Sequence, residues 1–273
     1  MRRVWLALPY LGGVLLLVAL PFGAAVYLGF TTYYGFAAPE FTGLANVRRM
    51  LDDELFWLSL RNAGMVAAIA VPLRLVLATG CALLLHTRDW ANGVGRTAVY
   101  LPAVVPDAAW ALLWLWLLNP LYGPLPWAGW FTDPNAARFA LALVLAFQVG
   151  EAFVVALAAR AAVPHRLYEA AAVEGTSAWH TFRRITLPLM APILGLLAFR
   201  DVLLVLQTTF VPALLVTQGN PHYATLVSPL YVYRRTFLYG ELGYASLLSV
   251  VLLALAAIAV ALQLLLLRRI RLT

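Results

Sequence analysis

Apolar runs of about twenty residues recur along this chain, the length an α-helix needs to cross a ~30 Å hydrocarbon core. No other feature constrains the fold as strongly, because a backbone in lipid must satisfy its own hydrogen bonds and can do so only as helices or as a closed barrel. A barrel would show shorter segments alternating apolar and polar with period two, whereas these runs are apolar on every face. The chain therefore reads as an all-α integral membrane protein. Its composition agrees: of 273 residues 63% are hydrophobic and only 11% charged.

The runs place spans at about 5–30, 62–85, 98–118, 139–160, 189–216 and 244–267. Six transmembrane helices put both termini on one side. All 19 basic residues are arginine, and the formal net charge is +7. Arg2, Arg3, Arg88, Arg96, Arg160, Arg166, Arg183, Arg184, Arg268, Arg269 and Arg271 fall on the side of the termini, against Arg48, Arg49, Arg61, Arg138, Arg234 and Arg235 opposite. The excess predicts cytoplasmic termini. These arginines sit at the ends of apolar runs and form no single patch, so nucleic acid is not an expected partner. The first apolar run is too long for a cleaved signal peptide and is expected to remain as a span.

The single cysteine, Cys81, excludes an internal disulfide framework, and His86, His165, His180 and His222 lack metal-ligand spacing. The segments assigned to the outer side, about 31–61, 119–138 and 217–243, are rich in Pro, Gly, Tyr and Trp, as surfaces that receive a partner or ligand often are. No repeat or long linker divides the chain, and residues 1–273 read as one transmembrane domain.

One cytoplasmic loop, residues 168–188, is different in kind. Tyr168 to Glu174 reads "YEAAAVE", a run of helix formers, and Gly175 follows where a left-handed C-terminal cap would end that helix. Thr176 or Ser177 can cap a second short helix that carries Trp179, Phe182 and Ile185 and runs to Pro188 at the start of the fifth span. The result is an elbow. Small residues on one arm let a partner's backbone come close, and Tyr168 or Val173 can anchor it.

The order Glu-Ala-Ala, three residues, Gly, nine residues, Ile-x-Leu-Pro is filled here by Glu169, Ala170, Ala171, Gly175, Ile185, Leu187 and Pro188. It resembles the signature of the permease subunits of bacterial ATP-binding-cassette importers. "FTGLANVRRMLDDELFWLSLRNAGMVAA", "RTAVYLPAVVPDAAWALLWLWLLNPLYGPL" and "LLVTQGNPHYATLVSPLYVYRRTFLYGELGYASLLSV" are similar to segments of the carbohydrate-importer branch, with Asn220 standing where that branch usually has glycine. The resemblance implies a subunit of the bacterial cytoplasmic (inner) membrane that transports and does not catalyse. A second six-span permease would complete the pathway. The elbow would be a coupling helix in a cleft of a separate ATPase subunit, with Glu169 pairing there, Ala170 and Ala171 giving close contact and Gly175 setting the corner. A solute-binding protein outside the membrane would deliver a sugar. The chain has no Gly-x-x-x-x-Gly-Lys-Ser/Thr loop, so ATP and Mg would be used by the ATPase partner and no cofactor is expected on this chain.

Polar residues inside the spans mark helix pairing or a solute pathway. Arg74, Asp107, Gln148, Glu151, Arg200, Asp201 and Gln207 fall there. Arg74 has Glu151 or Asp201 as candidate partners, and the adjacent Arg200 and Asp201, about 100° apart on a helix, are expected to find separate ones. A sugar needs flat aromatic faces and planar polar groups. Gln148, Glu151, Gln207, Arg200 and Asp201 with Trp110 and Trp114 form the expected substrate pathway, while Trp116, Trp127 and Trp130 suit an interface or packing. Asp107 reads as structural. The same machinery serving an amino acid or polyamine is the nearest alternative. An ion-coupled secondary transporter would use Asp201, Glu151 or Arg200, but it leaves the cytoplasmic motif unexplained and calls for inverted repeats that are not detected.

Overall fold

The computed structural model describes residues 8–87 and 89–270. Arg2, Arg3, Arg88 and Arg271, which entered the orientation argument, lie outside the described residues. The chain falls into two compact units, one built from the residues up to Leu58 together with those from Ser228 on, the other from Ser59–Val227.

In the first unit, α1 comprises Leu8–Val14, a π-helical turn Leu15–Ala19 and Leu20–Gly29. It packs on α13 (Leu242–Ile270), the longest apolar helix of the unit. Thr31–Thr32 (β1) pairs antiparallel with Glu40–Phe41 (β2), with Thr31 opposite Phe41. Ala45–Leu51 (α2) then turns under α1: buried Asn46 donates through Nδ2 to the carbonyls of Gly29 and Thr31, both at 2.9 Å, and so closes the end of α1. Ser228–Tyr233 (α12), extended by a π-helical turn Arg234–Leu238, leads into α13. The long helix α3 (Glu54–Leu84) begins in this unit and continues into the second.

In the second unit, α4 (Trp90–Tyr100) is capped by Asp89, whose side chain accepts from the Asn92 backbone N–H at 2.8 Å. A short 3₁₀ turn Leu101–Ala103 follows, and then Val104–Pro106 breaks the run before α5 (Asp107–Leu117). Pro106 has no N–H to continue the ladder and disfavours helix at Val105. The two helices meet at 97°. A short helix, Gly129–Thr132 (α6), precedes α7 (Pro134–Ala146), which is capped by Asp133 and opened by Pro134. It bends by 58° into α8 (Gly150–Ala161). Gly150 marks that corner because α4 crosses it closely: a Cβ there would lie 2.6 Å from the Ala103 Cβ and 2.8 Å from the Tyr100 carbonyl oxygen.

After α9 (His165–Val173), α10 (Ala178–Thr181) passes through a π-helical turn Phe182–Thr186 into α11 (Leu187–Thr208). Among the described residues, three apolar clusters hold this unit. One joins Trp110, Trp114, Leu118, Ala140, Val144 and Val216; a second joins Ala78, Ala82, Ala152, Phe153, Ala156 and Leu197; a third joins Ala159, Val163 and Met190.

The span boundaries differ from the sequence reading in physically specific ways. The segments 98–118 and 139–160 are each two helices joined at a bend. The helices expected over 62–85 and 189–216 begin earlier, at Glu54 and Ala178, because the polar residues before each apolar run also favour helix. Among the described residues, four helices are long and apolar enough to cross a membrane, or up to six if each bent pair is one span.

Candidate functional site

Both breaks border one cavity. Ala103 and Asp107 flank the first, Gln148 lies in the second, and these line a space of about 210 Å³ with Arg74, Glu151, Arg200, Leu204 and Thr208. Irregular backbone at membrane depth is tolerated where it is buried in protein or lines a cavity, and the two corners satisfy that condition together.

The polar walls are linked. Gln148 donates through Nε2 to Asp107 Oδ1 at 3.1 Å, joining the end of one bent pair to the other. Arg200 Nη2 donates to Glu151 Oε2, and its Nη1 lies 3.4 Å from Asp201 Oδ1. Asp201 is fully buried, and its other oxygen faces Arg74 Nε at 3.6 Å, an ion pair just beyond hydrogen-bond reach. Four charged groups thus form a chain Arg74, Asp201, Arg200, Glu151. Of the partners considered from sequence, Arg74 takes Asp201. Arg200 and Asp201 each find a separate partner, Glu151 and Arg74, and the long Arg200 side chain in addition folds back to within 3.4 Å of its neighbour.

Other residues of the expected pathway sit elsewhere. Trp110 and Trp114 are buried in the first apolar cluster, edge to face with centroids 6.1 Å apart. Trp110 Nε1 donates to the Val144 carbonyl at 2.8 Å, and Trp114 leans on Phe147. Their rings are occupied by protein. Gln207 is exposed, and Thr208 rather than Gln207 lines the cavity. Arg74 and Asp107 were left off the pathway because spacing along one helix carries no information about which other helix it meets.

The elbow forms around a left-handed corner. Gly175 has φ +65° with open space where a Cβ would be, and the Ser177 side chain accepts from the His180 N–H. Glu169 is exposed and pairs with His165 Nδ1 at 2.9 Å, one turn back. Ala170 faces outward, whereas Ala171 is covered by its own chain and its carbonyl accepts from both the N–H and the hydroxyl of Thr176. Val173 and Trp179 are 90% and 67% exposed, an apolar tip. Tyr168, expected as an anchor for a partner, is engaged internally. Its hydroxyl is 3.0 Å from that of Thr186, and the Arg160 guanidinium lies 4.2 Å over its ring. Ile185 packs beside Met190, and Leu187 and Pro188 open α11 at the surface.

A second polar cluster, in the first unit, was not singled out from the sequence. Asp53 accepts hydrogen bonds from the hydroxyls of Tyr231 and Tyr244, the latter at 2.6 Å, and faces Arg235 at 3.6 Å. Arg235 and Arg49 share Glu241, at 3.0 and 2.7 Å, and the Arg49 guanidinium lies 4.2 Å over Tyr244. Burial would push the Asp53 carboxyl up, but the two tyrosines, the Phe56 N–H and Arg235 outweigh it and hold it below the usual carboxylate value. Burial and the bond to Asp53 together raise Tyr231 well above an ordinary phenol.

In the segment that carries Asn220, positive φ falls on Gln218, Gly219, His222 and Tyr223 and not on Asn220, so a side chain at 220 meets no left-handed strain. Asn62 ties this turn down through the carbonyls of Tyr223 and Leu226, and Arg138 through that of Ala224.

Comparison with known proteins agrees with this architecture. The solved bacterial alginate ABC transporter in complex with alginate pentasaccharide-bound periplasmic protein contains a chain that superposes with a TM-score of 0.80 at 22% identity, covering 98% of this chain and 96% of its own. That likeness concerns the fold. Residues 74–272 match the family described as binding-protein-dependent transport system inner membrane component, and the chain belongs to that family. It is 32% identical to the "Probable ABC transporter permease protein YesP" of Bacillus subtilis (strain 168), over 92% of this chain and 85% of the relative. It is also 32% identical to the sulfoquinovosyl glycerol transport system permease protein SmoG of Agrobacterium fabrum, over 93% and 86%. The protein is a multi-pass inner-membrane transport subunit.

Proposed function

We propose that this chain forms, with a second permease subunit, the pathway of an ATP-driven importer for a sugar or oligosaccharide. The observation that carries the reading is the exposed elbow, with Glu169, Ala170, Val173 and Trp179 presented around the Gly175 corner, which Ala171 and Thr176 close, while Tyr168 ties it to its flanking helices through Thr186 and Arg160. Such a tip fits a cleft in a separate ATPase subunit, which would bind ATP and Mg, this chain needing no cofactor of its own. A solute-binding protein outside the membrane would load the pathway, and both termini would lie in the cytoplasm. The sugar assignment draws on the relatives, whose names include a sulfoquinovosyl glycerol system and a trehalose/maltose system, and on a cavity walled by hydrogen-bonding groups suited to hydroxyls. Alternating access would be a rigid-body change between two packings.

The test is affinity purification of the tagged chain from its native membrane after mild crosslinking. Recovery of an ATPase, a second six-span subunit and a binding protein is the expected result, and uptake of labelled sugars by the reconstituted complex then assigns the solute. A tagged chain that transports alone, driven by an ion gradient, would refute the reading.

A further inference from the structure

The cavity in the second unit has a charge arrangement that bears on which saccharides it admits. Among the described residues lining it, the cations are Arg74 and Arg200. Both already face carboxylates. Arg74 is mostly covered and faces buried Asp201, while Arg200 is spread between Asp201 and Glu151. The carboxylates are better presented: the Glu151 side chain is 54% exposed, and Asp107 lines the wall with its Oδ1 held by Gln148. Counting Asp201 behind the wall, three carboxylates face two guanidiniums, a formal charge of about −1 over the whole group. Carboxylates, the Gln148 amide and the Thr208 hydroxyl can accept from and donate to sugar hydroxyls. A carboxylate or sulfonate on the solute would instead meet like charge, with Arg200 already held by two carboxylates and Arg74 mostly covered.

We infer that this cavity admits uncharged saccharides and rejects anionic ones, and that Glu151 is the specificity-determining residue because it occupies the outward nitrogen of Arg200. The inference rests on the proposed import of a saccharide. It concerns Arg200 Nη2: with Glu151 neutralised, that nitrogen is released toward the cavity while Nη1 stays beside Asp201 and keeps the side chain in place. A bidentate or single charge-assisted bond to an incoming carboxylate then becomes available.

The experiment uses the full chain in lipid nanodiscs, titrated with trigalacturonate and with the same trisaccharide fully methyl-esterified. The pair differs in charge and not in ring stereochemistry. Binding is read by ligand-observed saturation-transfer NMR. The expected result is that the wild-type chain binds the ester about tenfold more tightly than the acid. In Glu151→Gln, and in Glu151→Ala as a second variant should the first fail to fold, affinity for the acid rises by a similar factor. Adding Arg200→Gln to either removes the gain. Wild-type binding of the acid as tight as that of the ester, or no gain for the acid on removing the Glu151 charge, overturns the inference. A gain for the acid in the variant with no ester binding to wild type supports the masking of Arg200 and counts against a saccharide as the solute.

Discussion

Asp53 shows how one carboxylate can organise a surface that its sequence neighbours do not announce. It ends the turn into α3, accepting from the Leu55 and Phe56 N–H groups, and with Tyr231, Tyr244 and Arg235 it ties α12 and α13 to that turn. Because its folded pKa lies below the ordinary value, the stability it contributes is fully present above about pH 4 and is lost as pH falls through the lower folded value. Thermal unfolding in detergent should therefore show a wild-type melting point that drops below pH 4. Asp53→Asn should start lower, by about 1–3 kcal/mol, with a flatter dependence in that range. An unchanged acid limb in the variant would show that other carboxylates set it. Within the cavity, Gln148→Ala should cut uptake several-fold while the yield of assembled complex holds. A parallel loss of yield would make Gln148 a tie between the bent helices and no more. Neither cluster was fully legible in the sequence. Gln148 and Glu151 are three residues apart and read as sharing a helix face, but Gln148 lies in the bend and Glu151 in the first turn of α8, so it is the corner between helices that brings both to the cavity. Arg74 and Asp107 reach the same space from other helices, and Asp53 meets tyrosines 178 and 191 positions away. Periodicity has no access to such distances.

At the scale of elements, local signals did well where they are chemical and poorly where they depend on neighbours. The helix, glycine corner and helix over 168–188 follow from helix formers, a left-handed Gly175 and the Ser177 cap, all of which act within a few residues. The bends did not follow. Pro106 hinted at the first, but an apolar run says only that a segment is long enough to cross, and the 97° and 58° corners are set by packing such as that of Gly150 against Tyr100. The elbow supplies a prediction of its own. Gly175→Val places a β-branched residue at φ +65°, a strain of roughly 1–2 kcal/mol with no clash to relieve it, and Glu169→Lys reverses charge at the exposed tip. Both variants should insert in the membrane and assemble, yet lose most uptake, with ATP hydrolysis no longer stimulated by the loaded binding protein. Normal stimulated hydrolysis in both would remove the elbow from coupling.

For the whole molecule, orientation in the membrane is the next quantity to measure. Cysteines at exposed Ser177 and Tyr223, in a chain with Cys81 replaced by Ser, should react with an impermeant thiol reagent from opposite faces, Tyr223→Cys from outside. Labelling from one face would rule out the six-crossing arrangement. A longer-range consequence comes from the continuity of Ala178–Thr208, a single 31-residue helix running from the Ser177 cap to the cavity wall. At 1.5 Å per residue it is about 45 Å long, so a tilt of roughly 10° about its middle swings each end by about 4 Å. One arm of this lever is the second limb of the elbow; the other carries Arg200, Asp201 and Thr208. A lever made of helix also has a phase. One alanine inserted near Leu189 would turn the two ends about 100° out of register, whereas seven, close to two full turns, would nearly restore it. The elbow and the cavity wall are thereby bound to a shared angular setting, and the chain length between them is far less free to vary than its apolar composition suggests.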